Sequence, residues 1–225
     1  MLMNIYHGAA GQNLMNPAFF TLNVSRYRAA ERDLVMRLAA GFDLVTEVGC
    51  AEGMCAHDLT ADGKRYVGLD VNASSIQRAR IEHRGNEHVS FRQADFEQVV
   101  RSQLTEDAIP RGGLLVLPFN VFGNFSCPHG LLKAASAGYD ALAVFTYAAG
   151  TNESAERLDY YERAGVAALK MEVSADGVCF SDGTGFKSMA FNEAWFLREF
   201  TAAGLEMHSI PVTSIGVLYC SFWPG

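Results

Sequence analysis

A few acidic and glycine positions stand out for the chemistry they could do together. Glu47 and Gly49 open the turn "EVGCAEG", Gly53 closes it, Asp70 ends "RYVGLD" and Asp95 ends "SFRQAD". A glycine turn lets backbone N–H groups approach a ligand closely, and an acid about 20 residues further on can accept both hydroxyls of a ribose. Asp70, with Val71 beside it, stands at that distance from Gly49. A dinucleotide fingerprint G-x-G-x-x-G beginning at Gly49 would need glycine where the chain has Ala51 and Met54. The second of those glycines is the one that lets backbone meet pyrophosphate. A ligand without phosphates does not need it, so the pattern points to a nucleoside bound without a phosphate cradle. Asp95 could offer a carboxylate to an exocyclic amine, with Phe96 as an aromatic face. Further on, "LPFNVFGNF" sets Pro118, Phe119 and Asn120 in an aromatic-rich stretch.

The elements that must hold these residues follow from periodicity. Asn16-Pro17 reads as a helix entry, and Phe20, Val24, Tyr27, Leu34 and Leu38 recur at helical spacing until Gly41. Short apolar runs then alternate with amphipathic segments. They are "DLVTEV", a helix from about Gly53, "RYVGLD", a helix from Asn72 to Arg84, "HVSFRQAD", and a short helix near Val99. "GGLLVLPFN", a helix from about Pro128 to Ala137, and "YDALAVFTY" complete the series. Alternation of this kind with near-continuous apolar strands predicts a parallel sheet covered on both faces. After Tyr147 it breaks: "TNESAERLDYYERAG" reads as a helix, and the turn signals in "SADG" and "SDGTG" predict a small antiparallel meander. Asn192 caps a further helix, and "LEMHSIPV" with "GVLYCSFW" reads as a closing hairpin over Leu205 to Trp223. No repeat or linker divides the chain, so residues 1–225 read as one α/β domain with residues 1–40 as a helical cover and 151–191 as an insertion.

Composition narrows the function classes. At 225 residues and 49% hydrophobic content the chain can bury one sizeable core. A net charge of -7 without any Lys/Arg block argues against a nucleic-acid partner, whose non-specific affinity comes mainly from basic side chains. Five cysteines, an odd number without C-x-x-C pairing, read as reduced thiols of a cytoplasmic protein and give no metal frame. The first residues lack a basic stretch followed by an apolar core, so a secretory leader is not expected. No apolar run approaches the ~20 residues that span a bilayer, so no membrane partner is expected.

Acid, glycine turn, acid, acid and aromatic edge, at intervals of about one βα unit, resemble the class I S-adenosylmethionine-dependent methyltransferases. The resemblance covers Asp43 to Tyr147 and the closing hairpin; the middle glycine common in that family is Ala51 here. It implies a Rossmann-like, mostly parallel seven-stranded sheet with helices on both faces and an antiparallel last strand. It implies S-adenosylmethionine as cofactor and S-adenosylhomocysteine as product. Gly49, Gly53 and their turn would approach the methionine portion, with Glu47 shaping the same end. Asp70 and Val71 would take the ribose, Asp95 and Phe96 the adenine, and Pro118, Phe119 and Asn120 the channel near the methyl.

The insertion is similar to covers over the acceptor in methyltransferases of small molecules, among them amino-acid-like compounds and secondary metabolites. This implies methyl transfer to an N or O atom of a small molecule by a protein that could work as a homodimer. Arg157 and Tyr161, four apart on one helix face, would then bind the acceptor, Arg157 favouring a carboxylate or phosphate. Tyr147 ends the fifth strand towards the same space, and His129 is either a substrate-facing base or a solvated helix-start residue. A non-catalytic S-adenosylmethionine-binding protein and, less well supported by the glycines, an NAD(P)-dependent oxidoreductase are the alternative readings. A nucleic-acid methyltransferase is disfavoured, because "PFNVF" stands where an Asn-Pro-Pro-aromatic signature would be.

Overall fold

The computed structural model describes residues 13–101, 111–183 and 185–222. Residues 1–12 of the expected cover and Trp223 of the closing hairpin fall outside them. The helix expected at Asn16-Pro17 begins later. Asn16 caps only a 3-10 turn, Pro17–Phe19, and the α-helix that follows it, α1 (Leu22–Ala39), is capped by Thr21, whose Oγ1 accepts from the Val24 N–H at 3.1 Å.

The chain then runs β1 (Leu44–Val48), α2 (Ala56–Ala61), β2 (Arg65–Asp70), α3 (Ala73–Glu82), β3 (Val89–Gln93), α4 (Phe96–Arg101) and β4 (Leu114–Leu117). It continues through a 3-10 turn (Val121–Asn124), α5 (Leu131–Ser136), β5 (Ala141–Tyr147), α6 (Thr151–Arg163), β6 (Lys170–Ser174), β7 (Gly177–Ser181) and β8 (Lys187–Phe191). The last elements are α7 (Glu193–Ala202), β9 (His208–Pro211) and β10 (Gly216–Cys220).

Seven strands form one sheet in the order β3-β2-β1-β4-β5-β10-β9, parallel except where β10 runs antiparallel to both neighbours. The order reverses between β1 and β4, which opens a crevice at the carboxyl ends of those strands. β1, β4 and β5 are buried at every position, as strands covered on both faces must be.

Alternate side chains feed two cores. Val45, Val116, Ala143 and Phe145 pack under α1, α2, α3 and α6, while Leu44, Leu115, Leu142 and Val144 pack under α4, α5 and α7. The expected meander is a separate three-stranded antiparallel sheet, β6-β7-β8, joined to the domain by Val178, Phe180 and Ala190 in the first core and Met189 and Phe191 in the second. No helix among the described residues is long and apolar enough to cross a membrane.

Candidate active site

The crevice deepens into a cavity of about 780 Å³, within the range that holds small ligands, and it has two chemically distinct ends. The first end is built on the turn after β1. Gly49 and Gly53 have φ of 71° and 79°, and a Cβ on either would sit 2.6 Å from a neighbouring side chain, Val121 or Phe91. Both glycines are therefore required by the turn itself. Ala51 between them is also left-handed, with φ 48°, although it carries a Cβ. Asp70 fixes it there: Oδ2 accepts from the Ala51 N–H at 2.9 Å and Oδ1 from the Asn72 N–H at 2.8 Å. One carboxylate thus ties the β2 end to the glycine turn and starts α3, whose cap is Asn72. Val71 lines the cavity beside it.

Asp95 lies at the mouth, where its Oδ1 caps α4 by accepting from the Glu97 and Gln98 N–H groups at 3.1 and 3.3 Å. The Phe96 ring turns into the core against Phe125, its centroid 6.2 Å away, and borders the cavity without offering an open face.

Glu47 is not part of the cavity lining. It is buried behind the turn, where its Oε2 accepts from the Tyr66 hydroxyl at 2.7 Å. Burial pushes its carboxyl up to about 7, against the pull of the Tyr66 hydroxyl and Arg28.

Arg28 was not expected at the site. It lies on the buried face of α1, lines the cavity, and stacks 4.6 Å over the Phe119 ring. Glu31, one turn on, pairs with it and also accepts the Phe119 N–H at 2.8 Å. Burial works against the charge on Arg28, but Glu31 and Glu47 raise its pKa, so it remains a cation. The signal was present in sequence: Arg28 and Glu31 interrupt an apolar stripe at helical spacing from Val24 and Tyr27.

The second end is a chamber of rings. Phe119 and Asn120 follow β4 with φ of 43° and 60°, a left-handed pair that swings the Phe119 ring into the cavity. Phe119 meets Phe20, Tyr147 and Tyr160 at centroid distances of 6.0, 5.8 and 5.8 Å. Tyr161 extends this wall to Phe186 at 5.0 Å. Asn120 is wholly engaged: Oδ1 accepts from Thr146 Oγ1 at 2.6 Å, and Nδ2 donates to Ser188 Oγ at 2.9 Å. Ser188, on β8, also shares a 2.7 Å hydrogen bond with the Tyr161 hydroxyl. The insertion is thereby joined through buried polar atoms to the ends of β4 and β5. Tyr147, buried at the chamber wall, has no hydrogen-bond partner for its hydroxyl. Burial, then the Tyr161, Tyr160 and Tyr27 rings, push its pKa well above the usual range against the pull of Arg157, so it is a proton-bearing donor and not a base.

Two expected residues lie elsewhere. His129 is off the cavity, exposed beside α5, with Nδ1 2.9 Å from Glu199 Oε1 on α7. The Pro128-initiated loop turns towards α7, with the Gly130 N–H donating to Glu199 Oε2 at 2.8 Å. Arg157 has no exposed surface and does not line the cavity. Its Nη1 donates to the Val178 carbonyl at 3.2 Å and its Nη2 to the Ser188 carbonyl at 2.8 Å. The helix face chosen for an acceptor contact is the face that clamps the β6-β7-β8 sheet, so Arg157 cannot touch an acceptor. Tyr161, on the same face, does reach the chamber.

Residues 44–113, the segment from β1 to the threshold of β4 that carries the glycine turn and both strand-end acids, match the family model described as a methyltransferase domain. That stretch of the chain is similar to a methyltransferase domain. No curated protein sequence matches it. Similar solved structures include magnesium protoporphyrin IX methyltransferase from Synechocystis PCC 6803 with bound SAH, at 11% identity and TM-score 0.62 over 96% of this chain and 95% of that one. Human N-acetylserotonin methyltransferase in complex with SAM aligns at 13% identity and TM-score 0.61, over 96% of this chain and 57% of that one. An S-adenosylmethionine-dependent methyltransferase from Clostridium acetobutylicum aligns at 13% identity and TM-score 0.57, over 85% and 90%. At these identities the likeness is one of fold. The turn tied by Asp70, the ring chamber and Pro118–Asn120 all line this one cavity.

Proposed function

We propose that this protein transfers a methyl group from S-adenosylmethionine to an N or O atom of a small molecule held among Phe20, Phe119, Tyr147 and Tyr160. The observation that supports the reading is that one cavity of about 780 Å³ is lined both by the glycine turn with the strand-end carboxylate Asp70 and by the rings Phe20, Phe119, Tyr147 and Tyr160. The residues suit the cofactor. Asp70 has the charge and position for ribose hydroxyls, and Asp95 at the mouth suits the adenine amine. Arg28, a buried cation facing the glycine-turn end, suits the methionine carboxylate. Bound S-adenosylmethionine supplies an electrophilic methyl on a sulfonium. The chain's own contribution is to hold the acceptor beside Pro118–Asn120 and to exclude water with rings. Such positioning can contribute roughly 7–11 kcal/mol of barrier reduction. The reading places the protein in the cytoplasm, where five free thiols are ordinary, and in small-molecule metabolism.

The test is calorimetric titration with S-adenosylhomocysteine and with NADH. Binding of the first and not the second is expected. Tighter binding of NADH would overturn the proposal in favour of an oxidoreductase, and product binding without transfer to a broad acceptor panel would favour a non-catalytic binder.

A further inference from the structure

The acceptor end of the cavity has an unusual charge balance. Phe20, Phe119, Tyr147, Tyr160 and Phe186 wall it, and Ser188 and the Tyr161 hydroxyl are its polar members. The carboxylates that line the cavity, Glu52, Asp70, Glu82, Asp95 and Glu97, belong to the turn, to β2 and to the α3 and α4 region at the other end. Glu31, the buried acid closest to the chamber, is committed to Arg28 and the Phe119 N–H.

Behind the wall stands a second cation. The Arg157 guanidinium lies 5.3 Å from the Tyr147 ring centroid, 5.8 Å from that of Tyr161 and 4.9 Å from that of Phe180. Its described partners are carbonyls and the Ser188 hydroxyl, with no carboxylate among them, and its Nε has none at all. A buried guanidinium without a counter-ion makes its surroundings electropositive over several ångströms, since little solvent screens it. The groups that face Tyr147 are Tyr27 of α1 and Tyr160, Tyr161 and Arg157 of α6, none of them acidic at neutral pH. The Tyr147 hydroxyl is buried in that wall without a hydrogen-bond partner among the described residues.

We propose that the chamber takes a planar aromatic acceptor bearing an ionisable hydroxyl, a phenol or its enol equivalent, bound as the oxyanion with Tyr147 donating to the reacting oxygen and Arg157 supplying the balancing charge from behind the wall. This deepens the methyl-transfer reading and rests on it. Rings accept a planar aromatic guest by edge and offset-face contacts, each worth more than area alone. A protonated alkylamine would find no carboxylate among the described chamber residues, with the Arg157 charge behind the wall. The step balances without a protein base. The acceptor's proton leaves to solvent, its oxygen forms the new O–C bond with its own electron pair, and the C–S pair stays on sulfur. The absence of histidine and carboxylate from this end, among the described residues, is then no deficit: the chamber stabilises an ion already formed. Tyr147 needs its high pKa for this, since an ionised phenol could not donate.

The experiment uses the full chain with saturating S-adenosylhomocysteine and 4-nitrophenol as probe, whose yellow phenolate reports its own ionisation. Nitrobenzene serves as the uncharged isostere and cyclohexylammonium as the cation. The expected result is that bound 4-nitrophenol ionises about one pH unit lower than in water, a shift typical of a nearby opposite charge. Tyr147→Phe should weaken the phenolate by about 5–20-fold, the scale of one hydrogen bond, and leave nitrobenzene within about twofold. That variant deletes an unpaired buried hydroxyl and should fold at least as well as the parent. Binding of the product with no binding of 4-nitrophenol would overturn the acceptor assignment. So would a raised probe pKa, a preference for cyclohexylammonium, or equal losses for 4-nitrophenol and nitrobenzene in Tyr147→Phe. Failure to bind S-adenosylhomocysteine would instead overturn the methyl-transfer reading, and the acceptor assignment would fall with it.

Discussion

Replacing Asp70 by alanine separates two jobs that one carboxylate performs. In the structure both oxygens already accept a backbone N–H, from Ala51 at 2.9 Å and from Asn72 at 2.8 Å. Loss of the ribose contact should weaken S-adenosylhomocysteine by about 1.5–3 kcal/mol, the range for hydrogen bonds to a charged group, or roughly 10- to 150-fold in Kd. Loss of the two internal bonds, at partly buried N–H groups, should cost about 1–3 kcal/mol of stability even without ligand. Asp70→Asn is no conservative control. Whichever way its amide is turned, an NH₂ faces one of the two donors, so stability should fall between parent and Asp70→Ala. The assay is calorimetric titration with S-adenosylhomocysteine beside urea unfolding without it. Parental affinity in a folded Asp70→Ala would refute the ribose assignment. Parental stability would refute the claim that this carboxylate holds Ala51 left-handed.

The other predictions concern the same framework. Ala51→Gly removes a Cβ from a left-handed position, relieving about 1–2 kcal/mol of strain against about 0.5–1 kcal/mol of added chain entropy. Urea unfolding should show zero to about 1 kcal/mol of stabilisation, and titration should show no gain of NADH binding. Glu47 is held protonated to about pH 7 in the folded state and ionises near its ordinary range when unfolded, so it favours folding below about pH 4.5 and loses that contribution as pH rises towards 7. Glu47→Gln should remove a pH-dependent loss on the order of 2–3 kcal/mol between pH 5 and pH 8; an unchanged slope of stability with pH would count against the burial of this carboxyl. His129→Ala, which deletes an exposed pairing with Glu199, should leave cofactor affinity and turnover at parental levels and stability within about 1 kcal/mol.

Much of the turn after β1 and of the β2 end was legible because strand-end acids and turn glycines are tied to short-range geometry. The βα alternation gave the strand that ends at Asp70, and the distance from Gly49 placed that acid opposite the turn. The same logic found the capping role of Asn192, whose side chain accepts from the Trp195 N–H. Reading failed where a residue's role depended on which face of a helix met which partner. Spacing put Arg157 and Tyr161 on one face of α6 and said nothing of what lay against it; that face meets β7 and β8, so Arg157 became a clamp while Tyr161, one turn on, reached the chamber. Arg28 escaped notice because a helix stripe was read through its apolar members alone. The resemblance implies that Glu47 shapes the ligand end beside Gly49, whereas in the fold it turns towards Tyr66 of the adjacent strand. His129 fell to the direction of a loop, which local sequence does not encode.

The shared polar atoms of Thr146, Asn120 and Ser188 carry a consequence for how this domain can change. The stretch after β4 and the β6-β7-β8 sheet share buried partners: Asn120 gives to Ser188 and takes from Thr146, and Tyr161 and Arg157 close on the same serine. Excising the insertion would take Ser188, Tyr161 and Arg157 away together and leave the Asn120 amide without its buried acceptor, at a cost of about 1–3 kcal/mol. The β6-β7-β8 sheet is thus keyed to the end of β4 by one amide. Room for variation in the chamber lies in its rings, Phe20, Phe119 and Phe186, which carry none of these bonds to Asn120.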